Sequence, residues 1–131
     1  MDNQINKDLA NARLEQAKQC LRAANVMIDT DLYKDSANRS YYAILHSMRA
    51  VLALESFDSK KHSGIIAAFR QRYIKTGKLD SSLSGIIRNA FEVRNSSDYD
   101  DFFIVSKALV IEQLENARKF LAEAEKFIKS H

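Results

Sequence analysis

Proline is absent from this chain and glycine occurs only three times, so the residues that close tight turns are almost missing. β-rich domains need such residues at regular intervals, and their scarcity points to an all-α fold. Tryptophan is absent too, and the single cysteine, Cys20, has no partner within the chain. A lone thiol excludes an intramolecular disulfide and leads to the expectation of a reducing, cytoplasmic setting. No apolar run approaches the roughly 20 residues that a membrane-spanning helix requires, so no membrane association is expected. The N-terminal stretch lacks a basic region followed by an apolar one and does not read as a signal peptide. The three histidines, His46, His62 and His131, form neither a Glu-x-x-His nor a His-x-x-x-His pair. With no such spacing to place two ligands on one helical face, neither a metal nor another cofactor is expected.

What is present is a globular composition, 46% hydrophobic and 28% charged, in 131 residues. Residues 1–131 are expected to form one domain, large enough to bury roughly two thirds of the surface that its unfolded chain exposes. The net charge of +3 permits nucleic-acid binding without arguing for it. Its placement matters more than its sum.

Apolar periodicity predicts an up-and-down bundle of four to five helices. The first, about Asp2 to Asp29, carries Ala10, Leu14, Ala17, Leu21, Ala24 and Ile28 at alternating steps of four and three. The last, about Ser106 to Lys129, repeats the device with Val110, Leu114, Ala117, Leu121, Ala124 and Ile128. These two long outer helices should pack antiparallel and close the domain. Between them, the polar stretch Asp31 to Ser36 offers N-caps for a second helix reaching about Ser56, with Tyr41, Leu45, Met48 and Leu52 on its core face. A shorter third helix is expected over Ser59 to Tyr73, a turn at Gly77, and a fourth helix from about Ser82 to Asn95 capped by Asp80 or Ser81.

Three groups of residues carry candidate chemistry. On the second helix, Arg39, Tyr42, His46 and Arg49 fall within about 80° of one another around the axis. They suit a phosphate-binding groove in which a histidine exchanges protons near neutral pH; the alternative is paired arginines and a half-buried packing histidine. From Lys60 to Lys78 the chain holds Lys60, Lys61, Arg70, Arg72, Lys75 and Lys78, with His62, and no acidic residue. That segment suits a nucleic-acid backbone, an acidic partner or a solvated helix face. On the fourth helix, Leu83, Ile87 and Ala90 form an apolar stripe whose next step is Arg94. Arg94, Asn95 and Tyr99 suit phosphate work: a fixed guanidinium fork, an orienting amide and a phenol. The structural alternative is a helix C-terminus where Arg94 pairs with Asp98 and the Tyr99 ring packs under the last helix.

The runs Arg39 to Leu52, Ser59 to Gly64 and Phe91 to Phe102 resemble the HEPN domain superfamily, in particular its short single-domain prokaryotic branch. The resemblance extends from about residue 5 to 128. It implies a helical bundle that forms a homodimer, with a polar cleft at or near the interface. It also implies a metal-independent ribonuclease activity, often in the toxin half of a toxin–antitoxin pair whose partner is a minimal nucleotidyltransferase. The family signature is an arginine followed by a polar residue and then by a histidine four to six residues after the arginine. Arg94 and Asn95 match its first two positions and Tyr99 stands where the histidine would be. On this resemblance Arg94 would hold the scissile phosphate, Asn95 orient it, and Tyr99 or His46 move the proton, with RNA or a nucleotide as ligand. A non-catalytic homodimeric interaction module or nucleotide sensor is the alternative.

Overall fold

A computed structural model describes residues 2–131. The helices are α1 (Asp2–Asp29), α2 (Tyr33–Ala53), α3 (His62–Phe69), α4 (Ser82–Tyr99) and α5 (Lys107–Lys129), with a π-helical turn, Arg70–Ile74, continuing α3. No strand occurs among the described residues, and the fold is the all-α bundle that the missing turn residues imply.

Two of the helix ends rest on residues other than glycine. α1 stops where Asp31 enters the left-handed region at φ 63°. There its N–H donates to Ile28 O (3.1 Å) and that of Leu32 to Met27 O (2.7 Å), a Schellman closure. Asp31 therefore ends one helix rather than capping the next, and α2 begins without a side-chain cap. Ser56, at φ 59°, repeats the device after α2, with its N–H on Ala53 O and that of Phe57 on Leu52 O. Gly77, at φ 78°, provides the stop expected of it, and Asp80 accepts the Ser82 N–H at 3.1 Å.

The structure shortens two expected helices, α2 ending at Ala53 rather than about Ser56, and lengthens another. α3 begins at His62 rather than Ser59, because residues 58–61 fold back as a loop against its first turn. α4 runs one turn past Asn95, to Tyr99. Asn95, Ser96, Ser97 and Asp98 have weak helix propensity, but Val93 (8% exposed) and Ser97 (6%) continue the buried stripe, and tertiary burial overrides the local preference.

α2 is the central element: it packs on α1, α3, α4 and α5. Along α1 a file of alanines, Ala10, Ala17 and Ala24, is fully buried, as are Ala43 and Ala50 on α2. Small side chains on both helices allow close approach, and Ser36 Oγ reaches across to donate to Ala24 O at 2.9 Å. α1 and α5 run antiparallel, tied by Lys7 Nζ to Ile128 O (2.7 Å) and by the Lys18–Glu125 ion pair (2.8 Å). The core is filled by Phe69, Phe120, Ile44, Met48 and Leu52, each contributing about 1.5–3 kcal/mol by leaving water.

Candidate functional site

The polar stripe of α2 stays half-buried along a cleft that α2 shares with the following loop and the start of α3. The cleft measures about 340 Å³ and is lined among others by Tyr42, His46, Arg49, Asp58, Lys60 and His62. Helical spacing puts the α2 residues there; Gly64 lets the loop close over them, since a Cβ at that position would sit within 2.4 Å of Ser59 Oγ.

Arg94 approaches from α4 and reaches the tyrosine pair at the cleft's side. As the fourth member of the Leu83, Ile87 and Ala90 stripe it points inward, and its guanidinium lies over the rings of Tyr41 (5.0 Å) and Tyr42 (5.7 Å). Arg39 approaches the Tyr42 ring to 5.1 Å. Two cations therefore rest on one pair of phenol rings, an arrangement that orients planar guanidinium groups. Arg94 Nε is 3.1 Å from Asp98 Oδ2, an ion-pair distance without an aligned hydrogen bond, so the buried N–H keeps no hydrogen-bond partner.

Both cleft histidines are held neutral. Burial, reinforced by Arg49, Arg39, Arg13 and His62, pushes the His46 imidazole below its ordinary value. Burial together with Arg94 and Arg49 does the same to His62. His62 Nδ1 shares a 3.0 Å hydrogen bond with Tyr41 Oη, whereas the buried His46 Nδ1 has no partner. Burial raises the Tyr41 phenol against the opposing Arg94 charge, which keeps the hydroxyl protonated at neutral pH.

Two members of this site escape a sequence reading. Arg13, on α1 and only 8% exposed, donates to Arg49 O (3.0 Å) and to Asp58 Oδ2 (3.1 Å). Asp58 also accepts from Arg49 Nε (3.3 Å) and Nη2 (3.2 Å). Burial alone would raise the Asp58 carboxyl, but hydrogen bonds from Arg49 and the Ser59 N–H, with the charges of Arg49 and Arg13, hold it below its usual value. Arg13 did leave a trace in the sequence, for it lies three residues after Ala10 and four before Ala17, on the buried face of α1. Asp58, in a loop, left none.

The other candidates separate. Asn95 and Tyr99 share the outward face of α4, with Tyr99 76% exposed, so the phenol neither joins the cleft nor packs under α5. The basic segment divides as well. Lys60 and Lys61 are exposed at the cleft's edge. Arg70 donates to Ser84 O at 3.2 Å and ties the π-helical turn to α4. Arg72 stacks over Phe57 at 4.5 Å, with Glu55 at 4.0 Å. Among the described residues no group of three or more His, Cys, Asp or Glu side chains is placed to hold a metal.

Comparison with known proteins agrees with this architecture. The family model described as HEPN domain matches residues 10–130. The chain belongs to the HEPN domain family. A relative named "UPF0332 protein" from Thermotoga maritima is 31% identical over 114 residues, 87% of this HEPN chain and 86% of the relative. Two relatives from Methanocaldococcus jannaschii carry the names "Putative toxin MJ0605", 34% identical over 72% of this chain and 73% of its own, and "Putative toxin MJ0142", 29% identical over 89% and 80%.

Proposed function

We propose that this single HEPN domain is the toxin-like component of a cytoplasmic two-component module. It would act as a homodimer, bind RNA through its phosphates, and answer to a minimal nucleotidyltransferase partner. The observation that carries the reading is the convergence of Arg39, Arg49 and Arg94 with His46 and His62 around Tyr41, Tyr42 and one open cleft. Arginine forks match phosphate oxygens, and aromatic faces stack on unpaired bases. The names of the Methanocaldococcus jannaschii relatives support the toxin role.

In the metal-independent ribonuclease form of this reading, Arg94 holds the scissile phosphate. His46, neutral at pH 7 and adjacent to the arginines, is better placed than Tyr99 to accept the 2′-hydroxyl proton, because Tyr99 points to solvent. Asn95 shares that outward face, and an orienting role for it would need a second copy of the chain. The dimer face is assigned to α4 and the segment after it, where Phe91, Tyr99, Phe102 and Ile104 are 42%, 76%, 92% and 86% exposed.

The outward Tyr99, in place of the signature histidine, favours a second reading: a homodimeric module that binds RNA or a nucleotide without cleaving it. One experiment separates the two. Purified protein incubated with single-stranded RNA in EDTA should cleave it, and Arg94→Ala should abolish cleavage with the fold intact by circular dichroism. Intact RNA alongside measurable binding would leave only the binding module; the absence of binding would remove both.

A further inference from the structure

The loop between α2 and α3 places a carboxylate against Arg13 and Arg49, the second of which lines the cleft. Asp58 sits between Arg13 and Arg49, with one oxygen 3.1 and 3.2 Å from their terminal nitrogens. The other oxygen receives Arg49 Nε at 3.3 Å and the Ser59 N–H at 2.8 Å. Four donors thus converge on two oxygens, a set that suits a phosphoryl group as well as a carboxylate.

The three partners are unequally fixed. Arg13 and Arg49 have side chains 10% and 27% exposed, against 47% for Asp58. Arg13 is anchored independently of the carboxylate by its bond to Arg49 O, and both arginines come from long packed helices. Asp58 comes from a loop and faces the 340 Å³ cleft. The carboxylate is therefore the member able to leave. The surroundings would also accept another negative charge, because His46, His62 and Lys60 line the cleft beside the fork and, among the described residues, Asp58 is the only carboxylate lining it.

We propose that the Arg13–Arg49 fork is a phosphate subsite whose place is held by the Asp58 carboxylate, and that a phosphate of the bound RNA exchanges with it. The inference rests on the RNA-binding reading and adds to it a second anion position, beside the Arg94 position. It also gives Asp58 a role in selectivity: a ligand must bring enough charge to displace it, which a single weak anion does not.

The test uses the full chain and two variants, Asp58→Asn, which keeps an acceptor for the arginines, and Asp58→Ala, which removes it. Binding of a fluorescently labelled single-stranded RNA is measured by anisotropy across a salt series, with thermal melts recorded by circular dichroism. The expected result is roughly fivefold tighter binding for both variants. The log–log salt slope should match wild type, because one phosphate fills the fork in every form; a slope steeper by about 0.7, the increment for one further phosphate contact on a single strand, would mean that the fork takes no phosphate in wild type and would overturn the exchange. An affinity equal to wild type, weaker binding in a variant that melts normally, or loss of the fold in both variants would make Asp58 a structural clamp and overturn the proposal. A titration of inorganic phosphate followed at the His46 ring by NMR separates the two readings. Phosphate-dependent shifts in Asp58→Asn, without RNA binding by any form, would keep the subsite and sink the RNA reading. RNA binding without such shifts would do the reverse.

Discussion

Arg94 shows how one position can serve both packing and the proposed phosphate contact. Its stem completes an apolar stripe while its guanidinium rests on Tyr41 and Tyr42, each such contact worth about 0.5–1 kcal/mol. Arg94→Ala should therefore lower stability by about 1–2 kcal/mol in urea titrations and reduce RNA affinity, and Arg94→Lys should recover little of the affinity, because an ammonium cannot present a planar fork. His46 predicts a pH effect of defined sign. Its folded-state value is depressed by burial and by Arg49, Arg39, Arg13 and His62, so the unfolded chain, titrating near 6.5, takes up the proton first as pH falls. Its contribution is complete above about pH 6.5 and is lost progressively below that. The urea midpoint should fall between pH 7.5 and 5.5, and His46→Gln should shrink that fall; an unchanged pH dependence in the variant would show that His46 is not held neutral. His62, depressed by burial and Arg94, acts in the same direction.

At the scale of elements, the helices were legible because burial leaves a period of 3.6 in the order of residues, and α1 and α5 begin and end within a residue of where that period places them. The ends decided by left-handed residues were not: Asp31 and Ser56 act where glycine usually does. The alanine file between α1 and α2 leads to a prediction of its own. Ala17 is fully buried, and Ala17→Leu should destabilise by about 1–3 kcal/mol or more through overpacking, lowering the thermal midpoint despite leucine's good helix propensity. Ser106 accepts the Leu109 N–H at 3.1 Å as the cap of α5, and Ser106→Ala should remove about 1 kcal/mol. A much smaller loss would show that α5 is held by packing alone.

For the whole molecule, the chain keeps its apolar stripes inside yet leaves Tyr99, Phe102 and Ile104 outside, beside Asp98, Asp100 and Asp101. Most of α2 is buried, with 13 of its 21 residues inside, and the proposed dimer would form on α4 and the segment after it. Sedimentation at micromolar concentration should show a species of twice 14.9 kDa, and Phe102→Asp should return it to the monomer. A wild-type monomer at that concentration would remove the dimer from the proposed function.

Order of residues alone determined the helical class, the approximate span of each helix and the inward direction of Arg94, because each depends on periodicity along one helix. Only tertiary structure decided that Arg94, His46, His62, Arg13 and Asp58 meet in one place and that Tyr99 does not. Those relations join α1, α2, α4 and a loop across distances in sequence that no local pattern records. They are set by how closely the alanine-lined helices approach and by how far α4 extends before its stripe leaves the core.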